Sequence, residues 1–164
     1  MKENNLEKNK LTVSEKIRAQ SPFDRSTFDP FLVEYISKQM EKLPYKAELF
    51  IRFGADAIVL EIEGNKILKI FPHKKPSNNF QREFDIPILE EANFEKEETN
   101  EFPHEGYYII QPKADTNVSF EDTRKFIEEI KVKGYKDVDI GHEGQKQLGF
   151  YDGKLYLLDY SAVE

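Results

Sequence analysis

The chain has 164 residues, with 31 acidic and 24 basic side chains, a net charge of −7 and no cysteine. The acidic balance argues against nucleic acid as the main partner, because phosphate backbones are bound by basic surfaces. The lack of cysteine excludes disulfides and cysteine-based metal sites or nucleophiles. No apolar run reaches the roughly 20 residues that cross a bilayer, and residues 1–10 are too polar for a secretory signal. We therefore expect a cytoplasmic protein of one domain, with neither a membrane nor nucleic acid as partner.

The N-terminal part is predicted to be an arm followed by a helix. Residues 1–28 are charged and hold few apolar side chains, which predicts a mobile arm. A weak helix through Val13 and Ile17 is the alternative. A capping aspartate followed by Pro30 then begins an amphipathic helix over 29–43.

Three antiparallel strands are predicted after this helix, over 47–53, 56–63 and 66–71. The pair Gly64-Asn65 predicts a tight turn between the second strand and the third. The period of two residues in a strand puts Lys69 on the same face as apolar neighbours in the third strand. A lysine there is costly unless its ammonium group reaches water or an anion. This lysine is therefore either a snorkelling edge residue or a cation held over a phosphate.

The rest of the chain alternates between helices and strands. Apolar residues at helical spacing predict a helix over 78–92, which Pro87 must kink or end. An acidic loop follows over 95–101, and a continuous apolar run predicts an interior strand over 107–111. The remaining predictions are a helix from Ser119 to Gly134, a polar loop over 135–149, and a hairpin that turns at Asp152-Gly153 and continues over 154–160.

With the residues that it carries, this order of elements over 47–161 resembles the protein-kinase-like fold in a very small form. The resemblance implies an α+β fold with a single minimal domain over 29–164. Within it, a small antiparallel sheet lobe with a helix would occupy 47–111, and a much abbreviated second lobe would occupy 112–164. The activation segment and large helical lobe of ordinary kinases are not expected.

The stretch 67–70 is similar to the lysine motif on the third strand of kinases. The resemblance implies that Lys69 contacts the α- and β-phosphates of ATP. It also implies a carboxylate partner for this lysine on the following helix, with Glu83 as the first candidate and Glu90 as the second.

In kinases a glycine-rich loop covers the nucleotide, and of the glycines in that pattern only Gly54 is present here. The resemblance implies that Val59 and Ile67 enclose the adenine. The run after the interior strand is similar to the kinase hinge, which implies that Asp115 lies near the ribose. The cofactor-binding candidates in this run are Gln111, Lys113 and Asp115.

The catalytic loop departs furthest from the kinase pattern H-R-D-L-x-x-x-N. Gln147 takes the asparagine position as a candidate metal ligand, and either Asp139 or His142 takes the position of the catalytic base. Asp159 resembles the aspartate of the D-F-G element, which implies a Mg²⁺ ligand. ATP and Mg²⁺ are thus the cofactors that the resemblance implies.

The resulting hypothesis is a kinase-like protein with an ATP/Mg²⁺ site and a degenerate catalytic loop, which acts on or through a protein partner. The retained Lys69, Glu83 and Asp159 favour an ATP-dependent phosphotransferase. A pseudokinase is slightly favoured by three features: the altered catalytic loop, the loss of glycines from the nucleotide-covering loop, and the early end of the chain. The alternative is therefore an inactive binding or inhibitor module that uses the scaffold only for protein–protein interaction. A third hypothesis is a small α+β adaptor whose resemblance to kinases is chance.

Overall fold

A computed structural model of the chain describes residues 10–20, 30–53, 57–72, 82–95, 105–141, 147–159 and 163. The fold is mixed α+β, and it divides into two compact units. The first, here called the sheet unit, comprises Met1–Pro76 and Leu89–Gln111; the second, the hairpin unit, comprises Ser77–Ile88 and Pro112–Glu164. One boundary therefore falls between Gln111 and Pro112, where the sequence also separates a sheet lobe from a second lobe.

The sheet unit is built on a five-stranded sheet with the order β1-β2-β3-β5-β4. The pairings of β1 with β2 and of β2 with β3 are antiparallel, which confirms the predicted three-stranded meander, and β4 also pairs with β5 in the antiparallel sense. Its described elements are α1 Val13–Gln20, α2 Pro30–Met40, β1 Ala47–Phe53, β2 Ile58–Ile62, β3 Lys66–Phe71, β4 Glu90–Asn93 and β5 Tyr107–Pro112.

The turn between β2 and β3 has the predicted chemistry. Gly64 has a φ of 86° and Asn65 a φ of 55°, and both values lie in the left-handed region that these residue types tolerate best. Two consecutive left-handed residues match the twist of an antiparallel hairpin. The turn therefore fixes the β2–β3 register, in which Val59 lies opposite Lys69.

The helices α1 and α2 form one apolar core with one face of the sheet. Val13 and Ile17 of α1 are 1% and 0% exposed, and Ile36 of α2 is 0% exposed. Thr12 caps α1, because its Oγ1 accepts a hydrogen bond from Glu15 N at 3.2 Å. The prediction of a mobile arm is therefore wrong for residues 13–20, where burial of two apolar side chains and a cap stabilise a helix. Residues 1–9 and 21–29 lie outside the described part.

The hairpin unit contains, among its described residues, the helix α3 Phe120–Val132 and the antiparallel hairpin of β6 Leu148–Tyr151 and β7 Lys154–Leu157. Ser119 caps α3 as predicted, since its side chain accepts a hydrogen bond from Asp122 N at 3.1 Å. Its core consists of Phe84, Phe126, Ile130, Leu148, Leu157 and Val163. No helix in the described ranges has the length and apolar character needed to cross a membrane.

The predicted helix over 78–92 is wrong for its described part. Here the backbone pairs with β7 instead: Ile86 N donates to Leu157 O at 2.9 Å, and Leu157 N donates to Phe84 O at 2.7 Å. The residues from Glu90 onward form β4. Pro87 lacks the N–H that a helix needs, and pairing with strands satisfies the backbone groups around it. Residues 78–81 lie outside the described part.

Candidate functional site

The sheet has a second face, opposite the core that α1 and α2 cover. The residues of β2, β3 and β5 that alternate with the core residues occupy this face. Leu60, Leu68, Tyr108 and Ile110 belong to the core, so their neighbours along each strand point the other way. We call the resulting set the second face; it consists of Val59, Glu61, Ile67, Lys69, Phe71, Tyr107, Ile109 and Gln111.

The second face brings together three of the predicted nucleotide-binding residues. Val59 and Lys69 are register partners across β2 and β3, and such partners have Cβ atoms about 5 Å apart. Ile67 lies two residues before Lys69 on the same strand and therefore on the same face. Val59 is 7% exposed, while Ile67 and Lys69 are only partly buried. A partly buried cation thus lies beside one partly buried and one buried apolar side chain.

Gln111 extends the same face onto β5. It is 2% exposed, and its side-chain nitrogen Nε2 is buried without a hydrogen-bond partner in the described part of the chain. Buried amides are nearly always hydrogen-bonded, because an unpaired one costs roughly 1–3 kcal/mol. The sequence places Gln111 in the hinge-like run, but its unpaired side chain depends on the packing of β5 and has no signal in the sequence.

The contact between Phe71 and Tyr107 indicates how β3 and β5 are aligned. Their ring centroids lie 6.2 Å apart, and the two strands are antiparallel neighbours. In an antiparallel pair, the C-terminal end of β5 runs beside the N-terminal end of β3. The unpaired amide of Gln111 therefore lies toward the Ile67 end of the second face, where Glu61 is the register partner of Ile67.

The two predicted carboxylate partners of Lys69 have other contacts. Glu83 lies in the hairpin unit, where its side chain is 77% exposed and its Oε2 is 3.5 Å from Lys133 Nζ. Because 83–89 is not helical, the helix that was expected to present Glu83 to the lysine is absent there. Glu90 lies opposite Ile110 in the register of β4 and β5, so its side chain is on the core face. The second candidate is therefore wrong, since Lys69 points to the other face.

Tyrosines occupy both oxygens of Glu90. Tyr45 donates to its Oε2, and Tyr108 donates to its Oε1 at 3.0 Å. The hydrogen bond to Glu90 raises the pKa of Tyr45 to about 12, and burial together with this carboxylate also raises the pKa of Tyr108. This cluster explains why a carboxylate is tolerated on the core face. The neighbouring Glu91 points to the second face, where it accepts a hydrogen bond from Tyr107.

In the hairpin unit, Gln147 organises the loop that carries Asp139. Its Nε2 donates to Asp139 O at 2.7 Å, and its Oε1 accepts from Gly141 N at 3.0 Å. Its backbone carbonyl accepts from Leu158 N at 2.7 Å, which joins the loop to the residue before Asp159. Gln147 thus connects the loop around Asp139 to the residue before Asp159; Asp139 is exposed and Asp159 is partly buried. His142 and Gly54 lie outside the described residues.

The other hinge candidates have mainly local contacts. Asp115 pairs with Phe150 through two backbone hydrogen bonds of 2.9 and 2.8 Å, and its Oδ1 accepts from Asn117 N at 3.0 Å. This carboxylate therefore stabilises the turn that leads toward α3, a use that short polar side chains often have. Lys113 is exposed.

Arg82 and Asp85 form a buried ion pair that sequence reasoning missed. Arg82 Nε lies 2.9 Å from Asp85 Oδ2, and the side chains are 13% and 0% exposed. Arg82 Nη1 also donates to Val163 O at 2.6 Å, and Val163 forms an antiparallel bridge with Val138. Arg82 therefore connects Asp85 to Val163, whose bridge partner Val138 is the residue before Asp139. The sequence did contain a signal for this pair, because two opposite charges stand three residues apart, at 82 and 85.

The residues present fit the two implied cofactors to different extents. For a nucleotide, the second face offers a cation, apolar side chains and an unpaired N–H donor, which are the groups that phosphate and a heteroaromatic base need. For Mg²⁺, Asp159 offers a carboxylate, but the amide oxygen of Gln147 already accepts one hydrogen bond. Among the described residues, no three His, Asp or Glu side chains cluster as a metal site would require.

Comparison with known proteins finds no match: no family model, no curated protein and no solved structure is similar to this chain.

Proposed function

We propose that this protein binds ATP on the second face of its sheet, as a kinase-like protein that acts through a protein partner. The observation that carries the proposal is the shared face of Val59, Ile67 and Lys69, in which the lysine and the valine are register partners. In this proposal the two apolar side chains contact the adenine and the ammonium group contacts the phosphates.

The order of the strands supports this assignment. β3, which carries the lysine, lies between β2, which carries the valine, and β5, which leads into the hinge-like run. A ligand that contacts Lys69 can therefore reach side chains from all three strands without leaving one sheet face. This is the arrangement that a kinase-like sheet lobe needs.

Two features favour nucleotide binding without efficient phosphoryl transfer. Glu90 points to the core face, away from Lys69, and the described range 82–89 has no helix to carry Glu83, so the kinase arrangement of a carboxylate on a helix after the lysine strand is missing there. Gln147 is engaged on both sides of its amide in holding the loop around Asp139. The pseudokinase alternative, a binding module for a protein partner, is therefore the preferred form of the proposal. Mg²⁺ is assigned to Asp159.

The test is isothermal titration calorimetry with ATP and Mg²⁺ on the wild type and on Lys69→Ala. Losing a charge-assisted contact to phosphate is expected to weaken binding about tenfold to a hundredfold. Lys66→Ala is the matched control, because Lys66 lies on the same strand and an odd number of residues away, on the opposite face. We expect Lys66→Ala to bind ATP as the wild type does. No heat of binding at millimolar ATP would refute the proposal.

The assignment of Mg²⁺ is tested by Asp159→Asn, with the exposed Asp137→Asn as its control. Asp159→Asn should weaken Mg²⁺ binding measured directly by titration of the ion, and Asp137→Asn should leave it unchanged. Transfer of labelled γ-phosphate to the protein or to a candidate partner then separates a phosphotransferase from a pseudokinase. Sustained turnover would favour the former.

A further inference from the structure

We infer that the side chain of Gln111 reads the adenine base directly, by donating from Nε2 to an unprotonated ring nitrogen. This inference deepens the proposed function and rests on it. Without Gln111, the second face would supply only apolar contacts and one cation. The amide adds a group that can distinguish one base from another.

The first support is a buried hydrogen-bond donor that has no partner among the described residues, which is rare in folded proteins. Gln111 Nε2 is buried and has no acceptor among the described residues, in a side chain that is 2% exposed. An amide kept in this state at no benefit to folding points to an acceptor that arrives with a ligand. A glutamine side chain has three rotatable bonds, so a small rotation can turn the donor toward a bound base.

The second support is position. Gln111 lies on the second face, on the strand next to the one that carries Ile67 and Lys69, and toward the Ile67 end. The amide is thus on the same sheet face as Val59 and Ile67, the two side chains that contact the base in the proposed function. A primary amide is also the side-chain group that pairs best with adenine, which presents a ring nitrogen next to an amino group.

The experiment measures coupling between one side chain and one ring atom. ATP, 1-deaza-ATP, 3-deaza-ATP and 7-deaza-ATP are titrated into the wild type and into Gln111→Met, which keeps the length of the side chain and removes the donor. One of the analogues should bind the wild type about tenfold more weakly than ATP does, which is the effect of one lost hydrogen bond. The same analogue and ATP should bind Gln111→Met with equal affinity.

A second readout uses the stability of the ligand-free protein. Removing an unpaired buried donor should leave the melting temperature of Gln111→Met unchanged or raise it, while ATP affinity falls. If the melting temperature falls by several degrees, Nε2 has an acceptor within the protein and the inference is overturned. Gln111→Leu repeats both measurements in a second apolar variant, in case Gln111→Met does not fold.

The two proposals fail in different ways. If the wild type does not bind ATP, the proposed function fails and the inference fails with it. A different outcome is that the wild type binds ATP while each analogue loses affinity, relative to ATP, by the same factor in the wild type and in Gln111→Met. In that case other groups contact the base, and only the inference is overturned. Tripolyphosphate provides the check on the phosphates, since its affinity should be equal in the wild type and in Gln111→Met.

Discussion

The buried pair of Arg82 and Asp85 permits a quantitative test of what stabilises the hairpin unit. Arg82→Met preserves much of the volume of the side chain but removes the guanidinium group. Among the described residues, the carboxylate of Asp85, which is 0% exposed, then retains only the hydrogen bond from Arg82 N at 3.0 Å. Breaking a buried pair from one side leaves an uncompensated charge and costs about 3–5 kcal/mol. The lost hydrogen bond to Val163 O contributes about 1 kcal/mol of the same loss.

The control for this variant is Arg124→Met. Arg124 pairs with Glu128 at 3.6 Å on the exposed side of α3, where the side chains are 57% and 63% exposed. Such pairs contribute about 0.3–0.5 kcal/mol, so this variant should unfold almost as the wild type does. The two variants remove the same group from the same unit, and they differ in burial.

Urea denaturation followed by circular dichroism measures the free energy of unfolding of both variants. Hydrogen exchange at Val138 and Val163 shows whether the loss is local, because these residues form the bridge that Arg82 holds. In the double variant Arg82→Met/Asp85→Leu, most of the loss should be recovered, since no buried charge remains. If Arg82→Met is within about 1 kcal/mol of Arg124→Met, the ion pair does not stabilise the unit as argued.

Two further predictions concern the sheet unit. Gly106→Ala should lower the free energy of unfolding in urea by about 1–3 kcal/mol, because a Cβ at this position would lie 2.3 Å from Cδ2 of Phe94, whose ring is in the core. The loss should be smaller in a Phe94→Leu background, and an equal loss in both backgrounds would contradict this cause. The pKa of Tyr45 is raised from 10.0 to about 12 by its hydrogen bond to Glu90, so its contribution to stability is complete below about pH 10 and is lost as the pH rises toward 12. Because burial also raises the pKa of Tyr107 and of Tyr108, the late-titrating tyrosinate absorbance at high pH should be smaller by one tyrosine in Tyr45→Phe, and an equal amplitude in that variant would contradict the assignment.

Local patterns in the sequence determined the elements whose signals are local. The turn at Gly64-Asn65, the cap at Ser119 and the hairpin at Asp152-Gly153 each depend on a few adjacent residues, and the structure confirms all three. The alternation of β3 likewise placed Lys69 on the face opposite Leu68 and Ile70 before any pairing was known. These features follow from backbone conformation and from the period of a strand, which the residue order alone specifies.

Tertiary structure decided where local signals competed. The residues around Phe84 have helical spacing, yet their backbone bonds to β7, because strand pairing satisfies groups that Pro87 prevents a helix from satisfying. Residues 13–20 are polar on average, yet they form a helix because the sheet buries Val13 and Ile17.

The same holds for the candidate site. The sequence determined that a lysine shares a strand face with apolar residues, but the register of β4 and β5 decided that Glu90 is not its partner. The packing of β5 decided that Gln111 holds a buried N–H without an acceptor among the described residues. Partners across a sheet are distant in the chain, so their identity depends on register and packing, which no local pattern specifies.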